Sequence, residues 1–224
     1  RLYHLLGAQK VAEIFKYIEE PRKYIRELSV ESAASVISEM DSDDAVDLLE
    51  DLDPEEKEQI VRMLDEDAKK DVKMLLSYDE EEIGSCMTTN YICIPEDLTI
   101  KQAMSELVKQ AGENDNIMTI YVVDEKGVFA GAIDLKDLIR ARENTHLEDL
   151  VLKSYPYVTD HEKIDDCMDR ILDYAEDSIP VLSEDKRILG VITSEDLIEM
   201  VDNEMGEDYA KLAGLTAEED LKEP

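Results

Sequence analysis

Histidine, cysteine and basic side chains are scarce in this chain, and each shortage excludes a class of function. The three histidines, His4, His146 and His161, share no metal-ligand spacing, so no zinc centre is expected. The three cysteines, Cys86, Cys93 and Cys167, are odd in number and contain no Cys-x-x-Cys. That usage fits reduced thiols in a cytosolic protein, not a disulfide framework. Twenty-four Lys and Arg stand against 57 Asp and Glu, a formal charge of −33. Phosphate contacts need a basic face, so nucleic acid is excluded as a partner. There is no uncharged apolar run long enough to span a bilayer, so direct membrane insertion of this stretch is not expected. No signal-peptide pattern is visible, although the chain opens at Arg1 without a Met, as a trimmed chain would. No P-loop, nucleophile–base pair or histidine cluster points to catalysis, and the chain reads as a non-enzyme.

What is present is duplication. Gly131-Ala132-Ile133-Asp134-Leu135-Lys136-Asp137-Leu138-Ile139 returns as Gly190-Val191-Ile192-Thr193-Ser194-Glu195-Asp196-Leu197-Ile198. Upstream, Tyr91, Ile94, Ile100 and Met104 return as Tyr155, Val158, Ile164 and Met168. The offset is 64 residues before the first helix ends and 59 after it, so the second copy is shorter by a loop. Each copy predicts strand, helix, strand, strand, helix. In the first these are Tyr91 to Ile94, a helix from Thr99, Ile120 to Val123, Val128 to Ile133, and Lys136 to Arg142. In the second they are Tyr157-Val158, Ile164 to Tyr174, Ile179 to Leu182, Ile188 to Thr193, and Glu195 to Asp202. A unit of about 60 residues buries little core alone, and pairing two of them enlarges it.

This twice-repeated Gly-apolar-apolar-x-x-x-Asp-Leu-Ile pattern, each time after a Val-rich strand and an acidic turn, resembles the CBS domain pair. The resemblance implies a binding or regulatory role and a dimer formed through the CBS units, with Leu138, Ile139, Leu197 and Ile198 as apolar contact residues.

The first 86 residues carry a different repeat, twelve residues long. Leu28-Ser29-Val30-Glu31, Met40-Asp41-Ser42-Asp43, Leu52-Asp53-Pro54-Glu55, Leu64-Asp65-Glu66-Asp67 and Leu76-Ser77-Tyr78-Asp79 each set an apolar residue before a capping residue and an acid. Ser or Asp at the N-cap with acid in the first turn starts a helix, and Pro54 suits the first helical position. Each repeat is expected to hold one short helix, stacked on its neighbours. A further helix is expected over Tyr3 to Ile18, with Val11, Ile14, Phe15 and Ile18 on its apolar side.

An acidic helical repeat followed by a CBS pair resembles the cytosolic part of the MgtE-type magnesium channels. The supporting stretches are the twelve-residue repeat, the junction Ser77 to Gly84 leading to Met87-Thr88, Tyr121 to Gly127, and the acidic tail Asp196 to Leu212. The fold class expected is α+β multidomain: an all-α helical-repeat superhelix at 1–86, CBS units with βαββα order at 87–150 and 151–202, and the start of a connecting (plug) helix at 203–224. The resemblance implies a homodimer on the cytoplasmic face of the membrane, joined to its own transmembrane pore domain. It also implies that Mg2+ bridging carboxylates of the N domain, the CBS pair and the plug holds a compact closed state.

The metal positions that the resemblance carries over are Glu13, Asp43 and Asp47 in the N domain, and Asp196, Glu199, Glu204, Glu207 and Asp208 in the second CBS unit and plug. Where the family has an Asp after a Tyr in the second CBS helix, this chain has Tyr174-Ala175, and Glu176 or Asp177 is the substitute. Mg2+ suits such a set, being a hard ion held by one or two carboxylates and its own water. Ordinary structural roles remain open beside this. Asp196 completes a capping box with Thr193, Asp43 is a first-turn acid, Glu204, Glu207 and Asp208 can form a solvated face, and Glu13 can face solvent. The rival function is adenine-nucleotide sensing, with ATP as the ligand and Lys136 and Asp137 as its contacts. Against it, Asp134 replaces the usual Thr or Ser, and Thr119 stands where an aromatic ring often stacks.

Overall fold

The computed structural model describes residues 2–18, 21–142, 144–172, 176–198 and 200–201. The N-terminal part is helical: α1 (Leu2–Leu6), α2 (Ala8–Phe15), α3 (Pro21–Ile25), α4 (Val30–Ile37), α5 (Ser42–Glu50), α6 (Pro54–Met63) and α7 (Glu66–Leu75). The expected caps Ser29, Asp41, Asp53 and Asp65 are the N-caps of α4 to α7. Ser29 and Asp65 accept from the backbone N–H groups of Ser32 and Ala68. Asp41 and Asp53 form no cap bond with their side chains, because both carboxylates are engaged elsewhere, by Lys16 and Asn90 and by Arg26. Alternate helices pack together, α4 on α2 and α6, and α5 on α7, so the twelve-residue period builds two rows of short helices.

Three local expectations are corrected. The helix expected over Tyr3 to Ile18 is broken at Gly7, whose φ of +80° suits glycine and no helix. Ala12, not Ile14, joins Val11 and Phe15 in the core, while Ile14 is 41% exposed. The fifth repeat starts no α-helix. Its Ser77 hydroxyl donates to Met74 O, the Asp79 N–H donates to the Glu82 carboxylate, and the chain continues into a 3-10 turn, Ile83–Cys86.

The second half holds two like units. The first is β1 (Ile92–Pro95), α8 (Ile100–Gln110), β2 (Thr119–Val123), β3 (Phe129–Asp134) and α9 (Leu135–Arg140). The second is β4 (Val158–Thr159), α10 (Ile164–Leu172), β5 (Ser178–Leu182) and β6 (Ile188–Thr193), with residues 194–198 helical. Each sheet has a parallel pair followed by an antiparallel pair, in the orders β1-β2-β3 and β4-β5-β6. The antiparallel pairs shift register at equivalent places, Val122/Val123 and Val181/Leu182.

The repeated glycines explain how the units interlock. The segment entering the first unit bridges the second at Thr88–Val191, and the segment entering the second bridges the first at Leu152–Ala132. Gly131 and Gly190 lie under these crossings. A Cβ on Gly131 would stand 2.5 Å from Leu152 O, and one on Gly190 would stand 2.7 Å from Thr88 O. Between the sheets lies Tyr121, fully buried, whose hydroxyl meets Ser178 Oγ at 2.6 Å; the Tyr155 hydroxyl donates to Ser178 O at 2.7 Å. A buried hydroxyl without such partners would destabilise the core.

The linker binds the helical part to the second unit. The N–H groups of Ile83 and Gly84 donate to Glu162 O and Asp160 O, and Ile164 N–H donates to Glu81 O, each at 2.9 Å. The 3-10 turn packs on both α7 and β4.

Candidate functional site

The start of α5 points at the seam between the helical part and the CBS pair. Asp43 and Asp44 are in its first turn, where the helix dipole favours acids. The seam holds them there through hydrogen bonds donated by uncharged side chains and backbone. Thr89 N–H donates to Ser42 Oγ at 2.9 Å, Thr89 Oγ1 donates to Asp71 at 2.9 Å, and Asn90 Nδ2 donates to Asp41 Oδ1 at 2.8 Å.

The resulting cleft, about 560 Å³, is lined by acids from both sides. Asp41, Asp43 and Asp44 come from the helical part, Asp115 from the first CBS unit, and Asp177, Glu195 and Asp196 from the second; among the described residues Lys16 is the one base. A second cleft on the far side of Asp43 and Asp196 adds Asp47, Glu50 and Glu80. Asp43 and Asp196 thus stand in the wall between two acidic clefts.

Asp43 is electrostatically strained. Its Oδ1 is buried and has no hydrogen-bond partner. Burial first, then the charges of Asp44 and Asp41, push its carboxyl up to about 7, with its own backbone N–H and Thr88 offsetting part of the rise. Burial and Asp41 likewise raise Asp44 to about 6, against the lowering effect of Lys16. A first-turn acid serving the helix dipole alone would be solvated. Burial and neighbouring carboxylates disfavour its charged form, and either a proton or a cation would relieve that cost. Asp196 does form the capping box: Thr193 N–H donates to its Oδ2 at 2.7 Å, and its own N–H donates to Thr193 Oγ1 at 3.3 Å. Capping and cleft lining therefore coexist in one residue.

The other expected positions separate. Asp47 is exposed and faces the second cleft. Glu13 is exposed beside a different cleft, with Lys16, Glu39, Asp41, Glu113 and Asp115. Asp177 borders both the main cleft and one within the CBS pair, where Glu176 also lies. Glu199, Glu204, Glu207, Asp208 and Ala175 lie outside the described residues. Asp41, Asp44, Asp115, Glu195 and Lys16 were not anticipated as site residues. Asp44 was signalled by its place beside Asp43, and Asp41 was read as a cap alone.

Among the described residues no group of three or more Asp, Glu, His or Cys forms a ready metal cage. The donors are oxygens, and burial pushes the nearby Cys86 thiol up, keeping it protonated. That set is of the kind that could hold a hard cation retaining much of its water. A nucleotide fits poorly. The cleft holding Asp137 is also lined by Asp134, Asp149, Glu176 and Asp177, and among the described residues no base lines it. Lys136 is exposed on α9, and its backbone N–H donates to the Asp134 carboxylate that caps the helix. Thr119 offers no ring, and Tyr155, the one aromatic in that wall, is locked edge-on to Tyr121.

Comparison with known proteins accords with this architecture. The family model of the MgtE intracellular N domain matches residues 1–81, and that of the CBS domain matches 81–144 and 147–203. The magnesium transporter MgtE of Enterococcus faecalis is 40% identical over 227 residues, covering 100% of this chain and 50% of that protein. MgtE of Thermus thermophilus is 33% identical over 141 residues, covering 62% of this chain and 31% of that protein. The chain spans at most about half the length of these curated relatives. A crystal structure of the soluble part of a magnesium transporter superposes with a TM-score of 0.85 at 32% identity, covering 91% of this chain and 81% of that one. The cytosolic domain of the Mg2+ channel MgtE in complex with ATP superposes with a TM-score of 0.79 at 29% identity, covering 88% and 81%. The chain belongs to the MgtE family, of which it carries the intracellular N domain followed by the CBS pair.

Proposed function

We propose that this chain is the cytosolic regulatory region of a magnesium transporter or channel, and that it senses Mg2+ at the seam between its N domain and CBS pair. The observation that carries the reading is Asp43: a half-buried carboxylate whose Oδ1 is fully buried without a hydrogen-bond partner, held next to Asp44 and in the same cleft walls as Asp196. Asp43 and Asp44 on one side, and Asp177 and Asp196 on the other, would hold a hydrated divalent ion. When bound, the ion supplies the positive charge that turns carboxylate repulsion across the seam into attraction. Without it these residues push the N domain away, and the hydrogen bonds at Ser42, Asp41 and Asp71 oppose that push. Opening and closing is the signal delivered to a membrane pore domain of the same protein. The reading includes a homodimer through the CBS units; Ile139 and Ile198 are 62% and 64% exposed and available for it, whereas Leu138 and Leu197 are buried in their own units.

Small-angle scattering with and without roughly 20 mM Mg2+, at matched ionic strength, tests the sensing, since general screening is then equal. Compaction by Mg2+ beyond that given by monovalent salt is expected. A radius of gyration indifferent to Mg2+ would remove the reading. Sedimentation of twice the monomer mass is expected for the dimer, and a monomer at about 100 μM, well above the Kd of a standard-sized interface, would remove that part.

A further inference from the structure

Lys16 stands apart from everything around it. It follows α2 directly, and its Nζ meets Asp41 Oδ2 at 2.6 Å with both side chains about 30% exposed or less. The other oxygen of Asp41 accepts from Asn90 Nδ2 at 2.8 Å. Asn90 in turn accepts from Asp115 N–H at 2.8 Å, and its backbone carbonyl accepts from Asn116 Nδ2 at 2.9 Å. A continuous polar relay therefore runs from α2 through the N-cap of α5 into the first CBS unit. Lys16 borders both the main cleft and the Glu13 cleft, and among the described residues lining them it is the one base.

We propose that Lys16 is a resident cation of the acidic seam, which holds the N domain on the first CBS unit before any divalent ion is bound and so sets the ion concentration at which the seam closes. The inference rests on the sensing reading above but makes a separate claim, that part of the charge needed for closure is covalently supplied. Three features carry it. Asp41 gives up its side-chain capping bond to hold Lys16 and Asn90. Burial works against the Lys16 charge, yet Asp41, with Asp44 and Asp115 behind it, outweighs burial and keeps the ammonium above its ordinary range. The Lys16–Asp41 pair lies within the N domain and reaches the first unit through Asn90, which donates to Asp41, and through the charge of Asp115, whereas the divalent-ion donors Asp177 and Asp196 belong to the second, so the two cations act on different parts of the seam.

The test compares Lys16→Met and Lys16→Arg with Lys101→Met, which makes the same change of net charge on the exposed face of α8. Scattering is recorded in metal-free buffer and through a Mg2+ titration. Lys16→Met is expected to populate the open form two- to fivefold more in metal-free buffer, the range for a half-exposed ion pair, with a larger radius of gyration. Its closure should also depend more steeply on Mg2+, because the missing charge is then drawn from solution. Lys16→Arg and Lys101→Met should behave as wild type. A Lys16→Met protein that matches Lys101→Met in both the metal-free radius and the steepness would overturn the inference. The metal-free arm uses no ion, so it still decides the role of Lys16 if the wild-type protein ignores Mg2+ and the sensing reading falls.

Discussion

Replacing Asp43 by Asn removes a charge that the fold tolerates poorly, so it should stabilise the metal-free protein. The Asp43 carboxyl is pushed from its ordinary 3.8 up to about 7, by burial first and then by Asp44 and Asp41. An acid with a raised pKa binds its proton more tightly in the folded state. The stability linked to that proton is intact below pH 3.8 and is lost as pH rises through about 7. The climb corresponds to a ceiling of about 4 kcal/mol at pH 8 and less than half of that at pH 5. The Asn amide left in the same pocket has no assured partner, which costs about 1–3 kcal/mol. A net gain of about 1–3 kcal/mol remains in metal-free buffer at pH 8, or a rise of at least about 2 °C in melting temperature.

Mg2+ reverses the comparison. An ion at roughly 20 mM with a Kd near 1 mM stabilises the form it binds by about 2 kcal/mol per site. On the proposed reading wild type should collect this and Asp43→Asn should not. Melting curves of both proteins at pH 5 and 8, with chelator and with Mg2+, therefore give four differences with one predicted pattern. The advantage of Asp43→Asn should be largest at pH 8 with chelator, shrink toward pH 5, and shrink or change sign with Mg2+. An advantage that is absent at pH 8, or the same at both pH values, would refute the electrostatic account of Asp43. A Mg2+ shift unchanged by the substitution would refute its role as a donor.

Three further outcomes follow from named contacts. Equilibrium dialysis against about 1 mM ATP should show no uptake that Asp137→Ala removes, because the cleft at Asp137 is lined, among the described residues, by five carboxylates and no base; saturable uptake lost in that variant would mean the cleft accepts polyphosphates. Gly131→Ala should lower the melting temperature by several degrees, since its Cβ would stand 2.5 Å from Leu152 O at a φ of +145°. The cost of such overpacking is about 1–3 kcal/mol, and an unchanged melt would show that the crossing segment gives way freely. By NMR, His161 should titrate above its ordinary 6.5, because the Glu82 carboxylate is hydrogen bonded to its ring at 2.9 Å, with Asp160 behind it; that clasp is present below pH 6.5 and lost as pH rises through the raised value. Glu82→Gln should bring the titration down, and no change would place the raising charge elsewhere.

Local chemistry was legible in the sequence where it was self-contained. The caps Ser29, Asp41, Asp53 and Asp65 recur every twelve residues, and each stands at a helix start. The duplicated Gly-apolar-apolar motif marked β3 and β6, because period and turn chemistry act over a few residues. Misses came where one residue overrode a pattern. Gly7 broke an otherwise periodic helix, and Ala12 took the buried place given to Ile14 because α2 turns that face toward α4. Within the site, Asp43 was legible as an acid in a first turn, but nothing local says that its oxygen is buried. Lys16 and Asp41 are 25 residues apart, and Asp41 and Asn90 are 49 apart. Pairings at that separation are set by how rows of helices dock on a sheet, which no periodicity encodes.

The balance of forces at the seam explains why its acids are useful. Direct contacts there include the hydrogen bonds of Ser42, Asp41 and Asp71, contributing about 1 kcal/mol for the bond to Ser42 and about 1.5–3 kcal/mol for each bond to a carboxylate. The apolar continuity between helical part and second unit includes the 3-10 turn Ile83–Cys86, which packs on α7 and β4 and is suited to act as a fixed pivot. On the proposed sensing reading, the mutual repulsion among Asp41, Asp43, Asp44, Asp177 and Asp196 must offset these hydrogen bonds and the apolar contacts shared with the second unit closely enough for bound ions to decide the docking. Moving such an equilibrium from 1:99 to 99:1 takes about 5.5 kcal/mol. One ion at about 2 kcal/mol cannot do it, whereas about three can. If the seam senses Mg2+ as proposed, carboxylates distributed over several clefts, instead of gathered into one tight cage, are the arrangement that would convert weak, millimolar binding into a switch. A single high-affinity cage would stay filled at every physiological concentration and report nothing.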